Sequence, residues 1–298
     1  MLLGIKPTVD FVFKKVFGSP ENIPVLIGLL NAILKLVHPI VHAEILNPFS
    51  YQEFADDKLV VLDIRARDSA GRWLNIEMQV TVFAGLLQRL VDYACTMYVN
   101  QLDPGQNYAD LRSAISICLL NTRLFREDTM PHHRFRLADP EHAVEVSDSI
   151  EVHTVELTKY NLQEETIYSA SAIEQWAFFF LFADGHEPER LRALLPGVEF
   201  QQAISVVEAI AAKTEDRMMY DQRLKAQRDY QWGLDSAREE GREEGLEKGK
   251  AVGKIQILQE LLGEQPSSTA SLRERTLGEL SAMLAHLQQR LRSRQVCS

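Results

Sequence analysis

The apolar and polar positions change period several times along this chain, and the changes mark its elements. Residues 8–17 (TVDFVFKKVF) place Val9, Phe13, Val16 and Phe17 at helical spacing, with Thr8 as the expected N-cap. Gly18 and Pro20 break that pattern, and residues 21–36 form a second helix, apolar enough for the core. A strand is expected over 43–48. Residues 59–66 (LVVLDIRA) and 72–81 then read as two strands around a polar turn at 68–71, where Ser69 and Gly71 are turn formers. Residues 83–102 return to helical spacing through Leu86, Leu90, Tyr93, Ala94, Met97 and Tyr98, with Arg89 off that stripe. Buried strands are predicted over 111–121 and 150–157, with Glu151, His153 and Val155 of the latter facing outward in one register. Between them lies a long polar loop with a short edge strand at 133–137. Adjacent His132 and His133 point to opposite faces of such a strand, so they read as surface histidines. Helices follow over 167–184, 187–195 and 200–212.

The order helix, strand, hairpin, helix, strand defines an α/β domain with a mixed sheet, expected over residues 1–213. Residues 214–298 read as a helical extension. Its 241–253 stretch repeats Gly241, Gly245, Gly249 and Gly253 every fourth residue. Glycine costs about 1 kcal/mol per helical position relative to alanine, so this strip suits close approach of a second helix. A solvated connector is the other reading. Residues 255–292 add two amphipathic helices split by 263–269, an expected route to a homo-oligomer.

Composition narrows the setting. The three cysteines, Cys95, Cys118 and Cys297, are widely spaced, which excludes a disulfide framework and a zinc knuckle and points to a reducing cytoplasm. The N-terminus lacks the pattern of a signal peptide, and no apolar run is long enough to span a bilayer, so no membrane association is expected. The net charge is −10. Residues 231–298 hold ten basic and ten acidic residues, so the acidic excess lies before them. Any surface there that faces a nucleic acid must be a local patch.

Candidate chemistry gathers at the hairpin. Glu77 and Gln79 share one strand face, with Ile76, Met78 and Val80 on the other. Asp63 in the partner strand is brought towards them. Two carboxylates and an amide oxygen make a hard, oxygen-lined pocket of the kind Mg²⁺ takes. A solvated sheet face is the competing reading. Against it, Asp63 stands between aliphatic neighbours, where a carboxylate needs a partner or a metal.

Taken together, DFVFKKVFG at 10–18, LLNAIL at 29–34, VLDIRARDSAGRWLNIEMQ at 61–79, QRLVDYACTMYVNQLDPGQNYADL at 88–111 and IEVHTVELTKY at 150–160 resemble the recombination-promoting nuclease family. That family is the bacterial transposase-like branch of the PD-(D/E)XK nuclease superfamily. The resemblance spans nearly the whole chain in the family's order. It implies a restriction-endonuclease-like mixed sheet flanked by helices, and Mg²⁺-dependent cleavage of DNA phosphodiesters, with Mn²⁺ as a substitute. Asp63 then takes the superfamily's central aspartate position and Glu77 the second acidic one, both as metal ligands. Asp10 matches the acidic residue of the first helix. Gln79 stands where many relatives carry lysine, which leaves Arg89 as the local source of positive charge. Tyr93, one turn beyond, is a candidate backbone contact or a packing residue. The departure at Gln79 and the acidic domain support an alternative: a weak or inactive nuclease fold acting in DNA binding or protein assembly.

Overall fold

The structure, a computed structural model, describes residues 1–54, 63–142, 144–145 and 148–296. They form two compact units, 1–227 and 228–298. The first begins with α1 (Asp10–Phe17) and α2 (Ile23–Leu34), followed by β1 (Ala43–Ile45), β2 (Ile64–Asp68) and β3 (Trp73–Gln79). Helix α3 (Leu86–Val99) leads into β4 (Ala114–Leu120). The loop beyond holds β5 (His132–Arg136) and a minimal ladder of β6 (Ala138–Asp139) with β7 (Val144–Glu145). Then come β8 (Ile150–Glu156), α4 (Ala172–Phe182), α5 (Pro188–Leu194), α6 (Val198–Ala212) and α7 (Thr214–Leu261).

Helix α1 starts one residue later than its expected cap predicts. Val9, not Thr8, precedes the helix, and the Asp10 carboxylate accepts from the Phe11 N–H at 2.7 Å. The main sheet has six strands in the order β1-β2-β3-β4-β8-β5. The β1-β2-β3 part and the β8-β5 edge are antiparallel, while β3, β4 and β8 run parallel. The mixed sheet with flanking helices is the architecture that the sequence pattern predicts and the family resemblance implies.

The two faces of the sheet differ. One carries Ile64, Leu74, Ile76, Ile117 and Val155 into the main core with Phe13, Phe17, Trp176 and Phe179. The other is covered by α3, where Leu86, Leu90 and Ala94 pack on Cys118, Leu120 and Val152. Strand β8 is therefore buried on both sides. Glu151, His153 and Val155 do not face outward as one register had suggested, because β8 lies between β4 and β5 and its second face meets the core. His132 is not a surface residue either. Its ring lies 3.0 Å from His153, with burial and then that neighbour lowering its pKa to about 4.

The second unit contains the end of α7, α8 (Thr269–Arg273) and α9 (Leu277–Val296), closed around Val252, Ile255, Leu272, Leu280 and Leu287. A Cβ placed on Gly241, Gly245, Gly249 or Gly253 meets nothing within 4 Å. Among the described residues no single helix is long and apolar enough to cross a membrane.

Candidate active site

The candidate site forms where β3 of the hairpin meets Arg89 of α3. Register fixes its layout. Ile64 opposes Ile76 and Arg65 opposes Asn75, so Asp63, one residue earlier, comes level with Glu77. Glu77 in turn opposes Cys118 on β4. Asp63 was expected inside a strand over 59–66, but the described strand begins at Ile64, and 59–62 lie outside the described residues. The carbonyl of Asp63 is engaged elsewhere: it accepts from Lys14 Nζ at 2.8 Å and from Asn47 Nδ2 at 3.0 Å. Those two donors fix the main chain, and the Asp63 carboxylate takes Arg65 Nε at 2.9 Å.

Glu77 is wholly buried. Arg89 reaches down from α3 and its Nη2 lies 3.2 Å from both Glu77 carboxylate oxygens and 2.9 Å from Gln79 Oε1. The guanidinium lies over two rings, 4.6 Å from the centre of Phe83 and 5.6 Å from that of Tyr93. Leaving the apolar stripe of α3 is what aims Arg89 at this spot. Burial raises the Glu77 pKa; Arg89 and a Cys118 hydrogen bond pull against it, and the charge of Asp63 adds to the rise. The Cys118 thiol is itself pushed well up, by burial first and then by Glu77. Burial also raises Tyr93, whose hydroxyl lies in the field of Arg89, Glu77, Asp63 and Arg65.

Asp63, Glu77, Gln79 and Arg89 thus come together as the sequence pattern predicts. Asp10 is committed elsewhere. Its carboxylate receives Arg223 Nε at 3.0 and 3.2 Å and a closer contact from Nη2 of the same guanidinium, which is buried near the start of α7. Lys14, one turn beyond Asp10 on the same face of α1, is the residue of that helix that touches Asp63.

The donor set fits a hard divalent cation. Mg²⁺ asks for one or two carboxylates and keeps several waters, and Asp63, Glu77 and the Gln79 oxygen provide that much. The Arg89 guanidinium, bridging Glu77 and Gln79, is already a cation on those oxygens. Among the described residues there is no cluster of three or more His, Cys, Asp or Glu suited to a metal.

The site also contains residues not singled out from the sequence. Arg65 follows Asp63 by two and so shares its face, a signal visible in the alternation of IRARD. Lys14 was legible as four residues from Asp10. Cys118 carried no local signal, since register places it; Arg223, which holds Asp10 outside the site, is placed by tertiary packing.

A mixed sheet with an acidic pair at a β-hairpin under a covering helix defines a nuclease-like protein of the PD-(D/E)XK class. The family model for PD-(D/E)XK nuclease family transposases matches residues 7–237, and the chain belongs to that family. No curated protein and no solved structure matches it.

Proposed function

We propose that this protein is a Mg²⁺-dependent DNA endonuclease of the recombination-promoting type, with Mn²⁺ as a substitute, and that Asp63 and Glu77 hold the metal. The observation that carries this reading is the convergence of Asp63, Glu77 and Gln79 on one sheet face, with a cationic group already seated across the last two. A metal bound there supplies an activated water and charge neutralisation at the phosphate. Glu77, under-compensated in its buried position, gains most from added positive charge. The Gln79 amide orients the attacking water but brings no charge. Arg89, once off Glu77, is placed to meet the charge that develops on the phosphate. Tyr93, whose ring lies 5.6 Å from the Arg89 guanidinium, is a backbone contact or a packing residue. Asp10, held by Arg223, braces α1 against the first turns of α7.

Purified protein incubated with plasmid DNA tests the proposal. Nicking or linearisation with Mg²⁺ and none with EDTA is the expected result; intact plasmid in both refutes it. One observation favours the second reading, a DNA-binding or assembly protein on a nuclease fold. Asp63 and Glu77 each already bear an arginine, which competes with a metal for the same oxygens.

The second unit is proposed to self-associate. The glycine strip of α7 is open, and Leu246 and Ile257 are exposed. A Cβ added at Gly245 or Gly249 meets nothing within 4 Å, so Gly245→Leu and Gly249→Leu start into open space. They should leave the fold intact and lower the mass seen by light scattering. A wild type that is monomeric at micromolar concentration contradicts this.

A further inference from the structure

Strand β2 carries a second pattern that the metal site does not use. Its burial alternates strictly: Ile64, Ala66 and Asp68 are buried, Arg65 and Arg67 are exposed. Both arginines stand on the face that holds Asp63, Glu77 and Gln79, since Arg65 opposes Asn75 and Arg67 opposes Trp73. Helix α3 covers β4 and β8 but leaves this end of the face open, where Arg65 and Arg67 are 56% and 46% exposed at their side chains. Positions two apart on a strand are about 6.7 Å from each other. That is close to the step between successive phosphates of an extended nucleic-acid strand.

We propose that Arg65 and Arg67 form a phosphate track that leads one DNA strand to the scissile position beside Asp63 and Glu77. The inference rests on the nuclease reading above and names how that site receives its substrate. Charge complementarity favours DNA. The chain is acidic overall, and two outward guanidiniums in line with the site are donors that a phosphate can compete for against the exposed carboxylate of Glu44. Arginine also suits the task, because its planar fork grips a phosphate through two donors. The Arg67 guanidinium lies 6.0 Å from the centre of the Trp73 ring, which limits the directions it takes. Its ion pair with Glu44, at 2.9 Å and with both partners well exposed, is a surface contact that a phosphate can displace. Arg65 contacts Asp63 through Nε, which leaves its two Nη donors for the incoming strand.

The test measures binding of a fluorescent DNA duplex to the full-length protein in EDTA, by anisotropy across a salt series. The variants are Arg65→Gln, Arg67→Gln and Arg67→Glu. Arg190→Gln serves as a basic-surface control, and thermal midpoints confirm folding. Each Gln variant should weaken binding several-fold at low salt and reduce the slope of log K against log salt by about 0.9, the loss of one phosphate contact. Arg67→Glu should weaken it further, and Arg190→Gln should match wild type. Wild-type affinity and slope in all the β2 variants overturn the track while leaving the nuclease reading intact. A wild type that neither binds nor cleaves DNA overturns both.

Discussion

Two buried glutamates of the same sheet, on opposite faces, have opposite fates. Glu77 on β3 has one guanidinium, shared with Gln79, and a Cys118 thiol; burial prevails and its pKa is raised. Glu151 on β8 is almost as inaccessible. It receives Arg134 at 2.6 and 2.9 Å, Arg136 at 3.3 Å and His153 at 3.2 Å. Burial opposes ionisation there too, but the bonds from His153 and Arg134 outweigh it, and its pKa falls to about 2. A buried carboxylate with enough partners fastens an edge strand. One with too few is poised for a further cation, at a cost in stability.

The largest expected effect separates the two by activity. Asp63→Ala and Glu77→Ala should each lower DNA cleavage by about 10²–10³-fold or more, with circular dichroism unchanged, because charge needed in the transition state is lost. Glu151→Gln should leave the cleavage rate near wild type. Wild-type rates in either site variant break the assignment.

Stability should invert the ranking. Glu151→Gln removes hydrogen bonds to charged groups and should cost about 1–3 kcal/mol in urea unfolding at neutral pH. The depressed pKa of Glu151 means its contribution is full above the ordinary glutamate value of 4.5 and is lost as pH falls towards about 2. Glu151→Gln should flatten that acid limb. Glu77 has the opposite sign: with a raised pKa, its contribution is present below 4.5 and lost as pH rises through the folded value. Glu77→Gln should therefore unfold no earlier than wild type at pH 7, and later by up to about 1 kcal/mol. A large destabilisation there shows that Arg89 compensates Glu77 fully.

The smallest effect is expected at Gln79. Gln79→Lys should keep the cleavage rate within about tenfold of wild type or raise it, since an ammonium contributes roughly what a single charged hydrogen bond does. A folded but inactive lysine variant shows that the amide itself positions the water.

Sequence periodicity located the hairpin, α3, β4 and β8 because each has a clean period and bounded ends. The same period put Glu77 and Gln79 on one face, the hairpin brought Asp63 towards them, and the off-stripe position of Arg89 followed from helical spacing. The arginine partners were less visible. Arg223 lies more than 200 residues from Asp10, and its pairing depends on how α7 begins against α1. The burial of Glu151 and His153 was missed for a related reason. Alternation shows which residues share a face, but not whether a core helix covers it.

The central claim is that Asp63 and Glu77 form a divalent-cation site while Glu151 does not. Titration of Mn²⁺ into the DNA-free protein, followed by calorimetry, tests it most directly. The account predicts saturable binding of Mn²⁺ by the wild type and by Glu151→Gln, and its loss in Asp63→Asn and Glu77→Gln, with affinity falling as pH drops through the raised Glu77 value. Equal binding by all four proteins, or none by the wild type, would contradict it.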